Sequence, residues 1–296
     1  MTVLVTAANG NQGKLLIPKL LAAGVALRAC VRSEESARTL RATGVRDVVV
    51  GDITEPAVLA RAMHGVDKIY YVGPTLHPQE REMGIAAIDA ARTAGVRHFI
   101  FSSVLHAITT DLTQHKIKRD LEEYLLSSGL EFTILQPSNY MLGHRLMPAF
   151  EQNVFRLSWA LDRYQSMVDL GDVTEVAAAV LADSGHHAGA TYELVAPGRY
   201  TAHDLARVIS QVVGRDIEAE QIDSDVFTKA ALGTEDLSQF PYRTRAARAI
   251  SKRYSSHDFI GNPNVLRWLL GRQPTTFEQF VQREFDAFQP REEDHR

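Results

Sequence analysis

The segment Val3-Leu4-Val5-Thr6-Ala7-Ala8-Asn9-Gly10-Asn11-Gln12-Gly13-Lys14-Leu15-Leu16 sets the architecture of everything after it. Val3 to Thr6 is an apolar, β-branched run of the kind that makes a buried strand. From Leu15 onward Leu16, Ile17, Leu20 and Leu21 recur at helical spacing, and Gly24 stops them. A tight turn containing Gly10 and Gly13 joins strand to helix. Such a turn brings backbone N–H groups up to a pyrophosphate, with the positive end of the helix dipole facing the charge. The three-glycine form of the motif is incomplete, because Ala7 holds the first place. The plain alternative is an ordinary connection, but the turn sits at the first strand–helix junction of an alternating chain, which favours a nucleotide site.

Outward from this turn the alternation continues. Val25 to Val31 reads as a second strand, followed by the polar turn Arg32-Ser33-Glu34-Glu35 and a helix to about Ala42, closed by Gly44. Val45 to Val50 is a third strand ending in Gly51-Asp52, and Thr54 is placed to cap a helix with Pro56 in its first turn. Val66 to Val72 is a fourth strand before Gly73-Pro74, with a helix over Gln79 to Ala94 ended by Gly95. Val96 to Ser102 is a fifth strand, Thr113 to Ser128 a helix, and Leu130 to Leu135 a sixth strand before Gln136-Pro137. This rhythm specifies an α/β fold, a Rossmann-type doubly wound parallel sheet. Ligands in such sheets bind beyond the carboxyl ends of the strands. The candidate cofactor positions are therefore Thr6, Ala8, Asn9, Gly10, Asn11, Gln12, Gly13, Arg32, Asp52, Ile53, Gly73, Pro74, Ser102, Ser103, Pro137, Ser138 and Asn139.

Past residue 140 the pattern changes. Residues 141–165 carry Met, Phe, Trp and Tyr without a clear period, as a substrate-facing or packing segment would. Asp172 is placed to cap an Ala/Val-rich helix, Thr191 to Val195 is a strand, and Thr201 opens an amphipathic helix to Val213. Ile217 to Ile222 reads as another strand and the remainder as helices. The expected division is a dinucleotide-binding domain over 1–140, a smaller and mainly helical substrate part over 141–289, partly packed on the first, and a disordered tail over 290–296.

Composition narrows the function classes. With 296 residues, 45% hydrophobic and 23% charged, the chain can bury a large core. A net charge of −4 argues against nucleic acid as the main partner. The basic stretch Arg243, Arg245, Arg248, Lys252 and Arg253 reads as a solvated helix face. Cys30 is the one cysteine, in an apolar run that suits a buried thiol, and the eleven histidines show no metal-ligand spacing. No run has the length of a membrane span or the build of a signal peptide, so the expected location is cytoplasmic and no membrane partner is expected.

Sites that use NAD place an acidic residue about 20 positions after the glycine turn, against the ribose hydroxyl. Here that region offers Arg32, then Ser33. An arginine pairs with the 2′-phosphate of NADP through charge-assisted bonds. NADP(H) is the expected cofactor, with NAD as the alternative and a solvated loop arginine as the bland reading.

The turn from Val5 to Gly13 resembles that of the NmrA-like group of atypical short-chain dehydrogenase/reductases. The resemblance continues through Cys30-Val31-Arg32, Val50-Gly51-Asp52, Gly95 to Ser103, Gly129 to Pro137 and Gly261-Asn262-Pro263-Asn264, so it spans nearly the whole chain. It implies an NAD(P) site at the strand ends and a C-terminal part that roofs a substrate cleft. The group includes reductases of quinones and dyes, and also redox sensors that bind the dinucleotide without turnover and act on a protein partner. Two positions depart from the group: Ala7 replaces its first glycine, and Gln136 stands where an arginine is common.

The resemblance assigns Lys118 to the lysine of the short-chain dehydrogenases, which generally carry a tyrosine four residues earlier. That spacing puts both on one helix face, and the ammonium helps the phenol exchange a proton. Here the earlier position is Gln114. Lys118 is expected either at the nicotinamide ribose or in a surface pair with Glu122. His106, His115 and Tyr140 are substitutes for the acid by position. Without a tyrosine, hydride reduction of a small electrophilic acceptor is favoured over alcohol dehydrogenation.

Overall fold

The computed structural model describes residues 1–288, and the tail expected at 290–296 lies outside the described residues. In chain order the first elements are β1 (Thr2–Val5), α1 (Asn11–Ala22), β2 (Ala26–Val31), α2 (Glu34–Ala42), β3 (Asp47–Val50), α3 (Pro56–Met63), β4 (Lys68–Val72) and α4 (Glu80–Thr93). There follow β5 (His98–Ser102), α5 (Thr113–Leu126), β6 (Glu131–Pro137), β7 (Asn139–Met141), α6 (Met147–Gln152), β8 (Val154–Leu157) and β9 (Met167–Asp169). The rest comprises α7 (Leu170–Ala182), β10 (Ala190–Leu194), α8 (Ala202–Val213), β11 (Glu218–Gln221), α9 (Ser224–Leu232), α10 (Pro241–Ser256), α11 (Asn264–Leu270) and α12 (Phe277–Phe288). No helix among the described residues is long and apolar enough to cross a membrane.

The chain divides into two compact units, and the division is interleaved. The first holds residues 1–137, 170–194 and 268–270; the second holds 138–169, 195–267 and the remainder from Gly271. Residues 170–194, which the sequence reading put in the C-terminal part, fall in the first unit.

In the first unit seven parallel strands run in the order β10-β6-β5-β4-β1-β2-β3. The chain builds outward from β1 to β3, returns to the centre, and builds the other way from β4. The order reverses between β1 and β4, where such sheets leave a crevice at their carboxyl edge. Helix α1 packs on α7, and α4 packs on both α3 and α5. Leu4, Ile69, Phe99 and Phe101 are buried in the core between sheet and helices, each worth about 1.5–3 kcal/mol by transfer from water. Cys30 is buried with them, and burial pushes its thiol up to about 11.

Two expected caps are corrected. Glu55 is the residue before α3, and the Thr54 N–H is taken instead by the Asp52 carboxylate at 2.9 Å. Asp172 lies inside the first turn of α7, because β9 runs directly into that helix and leaves no cap position at 172. Thr201 does cap α8, in a reciprocal box with Asp204.

The second unit carries two two-stranded parallel pairs, β7 with β9 and β8 with β11. Helix α12 packs on α8. On α10, Arg248 pairs with Asp225 through both its Nε and a terminal nitrogen, so that position of the basic stretch holds a carboxylate.

Candidate functional site

The β1–α1 turn is built by two close approaches. Ala7 adopts φ +48°, a left-handed conformation that costs a non-glycine residue roughly 1–2 kcal/mol. The Gly10 N–H closes back on the Ala7 carbonyl at 2.8 Å, and the Lys14 N–H is bonded to the Gly10 carbonyl at 3.0 Å. Gly10 is the residue before α1, and no side chain caps the helix there. A Cβ on Gly13 would stand 2.6 Å from the Ala8 carbonyl carbon and 2.7 Å from the Ala7 oxygen. Glycine is required because the helix lies directly on the backbone of the turn, a cradle that a side chain would fill.

Side chains lock this turn to its neighbours. The Val72 N–H donates to Thr6 Oγ1 at 2.8 Å, joining β1 to β4 at their carboxyl ends. Gln12 is buried: its Oε1 accepts from the Tyr70 hydroxyl, and its Nε2 donates to Ser102 Oγ at 2.9 Å. Gln12 and Ser102 thus hold each other and tie α1 to β4 and β5. Asn9 donates to Ser36 Oγ at 3.0 Å.

On the far side of the turn Arg32 is exposed just past β2, with no hydrogen bond or ion pair among the described residues. The Asp52 carboxyl is held below its ordinary range, first by the Thr54 backbone N–H and further by the charges of Arg32 and His77. Ile53 beside it is half-buried against the core.

Gly73 ends β4 against a buried ion pair. A Cβ there would lie 3.4 Å from Lys118 Nζ and 3.5 Å from Glu80 Oε1. Lys118 pairs with Glu80 at 2.9 Å and lies over the Phe101 ring at 5.2 Å. The expected Lys118–Glu122 pair is therefore corrected: Glu80, at the start of α4, takes the ammonium. Glu122 instead accepts from Ser103 Oγ and from Gln136 Nε2, the latter at 2.8 Å. Burial raises its carboxyl above the ordinary value, against those two bonds and the Lys118 charge, which lower it. Gln136 thus does neutrally what an arginine would do as an ion pair.

Gln114 is buried one turn before Lys118, and its Oε1 has no partner among the described residues. The tyrosine of this helix, Tyr124, donates its hydroxyl to Asp89 at 2.9 Å. His106 adopts φ +55°, and the buried His115 donates from Nδ1 to its carbonyl at 2.9 Å.

Ser138, Asn139 and Tyr140 open the second unit. Asn139 donates to Gln165 Oε1 at 2.8 Å, and Tyr140 sits opposite Val168 in the β7–β9 pair. Asn139 and Tyr140 line a narrow cleft whose other walls include Arg145, Phe155, Trp159, Gln165 and Phe277. Sequence reasoning missed Glu80, Tyr70, Arg145 and Gln165. An acid at a helix start reads as ordinary dipole compensation, and residues 141–165 show no period that would single out an arginine.

A model of the NmrA-like family matches residues 1–265. An NAD(P)H azoreductase of Xenophilus azovorans is 29% identical, over 97% of this chain and 99% of its own length. A (4-alkanoyl-5-oxo-2,5-dihydrofuran-3-yl)methyl phosphate reductase of Streptomyces griseus is 32% identical, over 78% of this chain and 80% of its own. Among solved structures, an NADPH-dependent quinone oxidoreductase of Escherichia coli complexed with NADPH aligns with a TM-score of 0.78 at 26% identity, covering 96% of this chain and 99% of that one.

Proposed function

The chain belongs to the NmrA-like family, and on that footing we propose that it is an NAD(P)H-dependent reductase of a small electrophilic acceptor such as a quinone or dye. The observation that carries the reading is the start of α1, which no side chain caps, seated where the strand order reverses. Its helix dipole and first-turn amides suit a pyrophosphate, and Gly10 and Gly13 keep the approach open. Exposed Arg32 pairs with a 2′-phosphate, so NADP(H) is preferred over NAD(H). Lys118 keeps N–H donors beyond the one facing Glu80 and offers them to the nicotinamide ribose.

Bound there, the dinucleotide supplies a hydride. The chain's own residues do the rest: the turn fixes the phosphates, Gly73 keeps the end of β4 open, and Gln114 Oε1 offers a neutral acceptor. With the Tyr124 hydroxyl bonded to Asp89, α5 presents no phenol beside Lys118 to donate a proton. The acceptor is therefore one whose reduction needs no protein acid in the transition state. Titration with NADPH and NADH, followed by NADPH consumption against a panel of quinones and dyes, tests the reading. Tight binding with no consumption by any acceptor would make the protein a dinucleotide sensor, and no binding would remove the cofactor reading itself.

A further inference from the structure

We propose that Glu80 is the positioning residue of the cofactor site: it fixes the Lys118 ammonium at the end of β4, where Lys118 meets the nicotinamide ribose. Lys118 at the ribose is taken from the cofactor reading above, on which this inference rests. Glu80 opens α4 and Lys118 lies on α5, so only the packing of the two helices brings them together. Nζ and Oε1 are 2.9 Å apart, with the side chains 5% and 0% exposed. Such a pair adds little net stability, because desolvation offsets much of the attraction. What it does fix is place. Lysine carries three donors on a flexible four-carbon stem, and the carboxylate ties that stem to one spot.

The loop between β4 and α4 is the second, independent observation. The other carboxylate oxygen, Oε2, accepts the Leu76 N–H at 3.2 Å. Leu76 has φ +64°, a costly conformation for a bulky side chain. Strain of this kind persists where the surroundings over-determine it, and it collects at functional sites. Here the Thr75 N–H closes on the Gly73 carbonyl at 2.9 Å, His77 on Pro74 at 3.0 Å, and Glu80 on His77 at 3.1 Å. The loop leaves the carboxyl end of β4, one of the two strands that flank the reversal of strand order, where ligands of such sheets bind. One carboxylate thus clamps the strained loop with one oxygen and the ammonium with the other. Gly73 has no positive φ, so its backbone does not call for glycine. A Cβ there would lie at contact distance, 3.4 Å from Nζ and 3.5 Å from Oε1, and its absence leaves no side chain over the pair on that side.

The test is calorimetric titration with two ligands, NADPH and adenosine 2′,5′-bisphosphate, which carries the 2′-phosphate but no nicotinamide ribose. The parent should bind NADPH more tightly than the bisphosphate. Glu80→Gln should weaken NADPH roughly tenfold to a hundredfold, the worth of one charge-assisted hydrogen bond, and leave the bisphosphate unchanged. A merely structural role would weaken both ligands alike. Glu80→Asp keeps the charge but sets it one methylene further back. It should fall between the parent and Glu80→Gln, and it carries the test where Glu80→Gln fails to fold. Added to Lys118→Met, Glu80→Gln should cost NADPH nothing further, since the carboxylate acts through the ammonium. Unchanged NADPH affinity in every Glu80 variant that folds, equal losses for the two ligands, or a further loss in the Lys118→Met background overturns the proposal. A parent that binds NADPH no more tightly than the bisphosphate also overturns it and leaves the cofactor reading standing. A parent that binds neither overturns both.

Discussion

Replacing Glu80 by glutamine removes one charge from a pair almost wholly shielded from water. The Glu80 side chain is 0% exposed and the Lys118 side chain 5%, with Nζ and Oε1 2.9 Å apart. Glutamine keeps the shape and an oxygen for the Leu76 N–H, which donates to Glu80 Oε2 at 3.2 Å. What it removes is the partner in contact, which leaves an ammonium beside Phe101 and Gly73 with only the more distant Glu122 carboxyl, itself raised by burial, to offset it. Breaking a buried pair from one side costs about 3–5 kcal/mol, whereas replacing both partners by apolar groups is often near neutral. At about 2–4 °C per kcal/mol for a chain of this order, Glu80→Gln should lower Tm by roughly 6–20 °C. Lys118→Met should recover most of that loss when combined with Glu80→Gln. The assay is thermal and urea unfolding of the four proteins of the double-mutant cycle, read by a core signal from the first unit. Glu80→Gln within 1 kcal/mol of the parent, or a double variant no better than the single one, would refute the reasoning, because the ammonium would then be solvated in some other way.

Gly13→Val should lower stability by about 1–3 kcal/mol and abolish NADPH binding, since the new Cβ meets backbone carbonyls that cannot swing away; unchanged melting and unchanged titration would show that the helix does not sit on the turn. Arg32→Ala should weaken NADPH roughly tenfold to a hundredfold and leave NADH unchanged, measured by calorimetric titration of both cofactors. Glu122→Gln should raise Tm at neutral pH. The folded-state pKa of Glu122 is raised by burial, so the stability it contributes is full below its ordinary value of 4.5 and is lost as pH rises through the higher folded value. The gain from glutamine should accordingly vanish on acidification below that range, and a pH-independent difference would contradict the sign. Ala7→Gly should bind NADPH at least as tightly as the parent, because φ +48° is a glycine conformation; a large loss would mean that the Ala7 methyl contacts the cofactor.

The parallel sheet was legible because each strand is a short apolar run and the helices between end at glycines. Gly24, Gly44, Gly65 and Gly95 all have positive φ, where glycine alone is unstrained. The turn at Gly10 and Gly13 was legible for a different reason, since close backbone approach also leaves its mark in glycine. Partnerships across the fold left no such mark. Lys118 has Glu122 one turn away, and local spacing favours that pair, but Glu80 on another helix has no access to water and takes the ammonium. Of the strands in the pairs β7–β9 and β8–β11, β11 was read as the run Ile217 to Ile222, whereas β7, β8 and β9 are three or four residues long, too short for alternation to show.

The interleaving of the two units bears on how the chain is made. Strand β6 ends at Pro137, and β10, its outer neighbour in the sheet, begins only at Ala190. Those positions are 53 residues apart, or roughly 3–10 s of translation at about 5–20 residues/s. Throughout that interval the apolar run Phe132 to Leu135 stands at an open sheet edge, the kind of template on which chains aggregate. Residues 138–169 are synthesised in the meantime and belong to the other unit. Slow or faulty folding of that insert prolongs the exposure of an edge it never joins. Substitutions there that leave the purified protein fully active should still lower the yield of chains that escape aggregation, and a general chaperone supplied during synthesis should restore it.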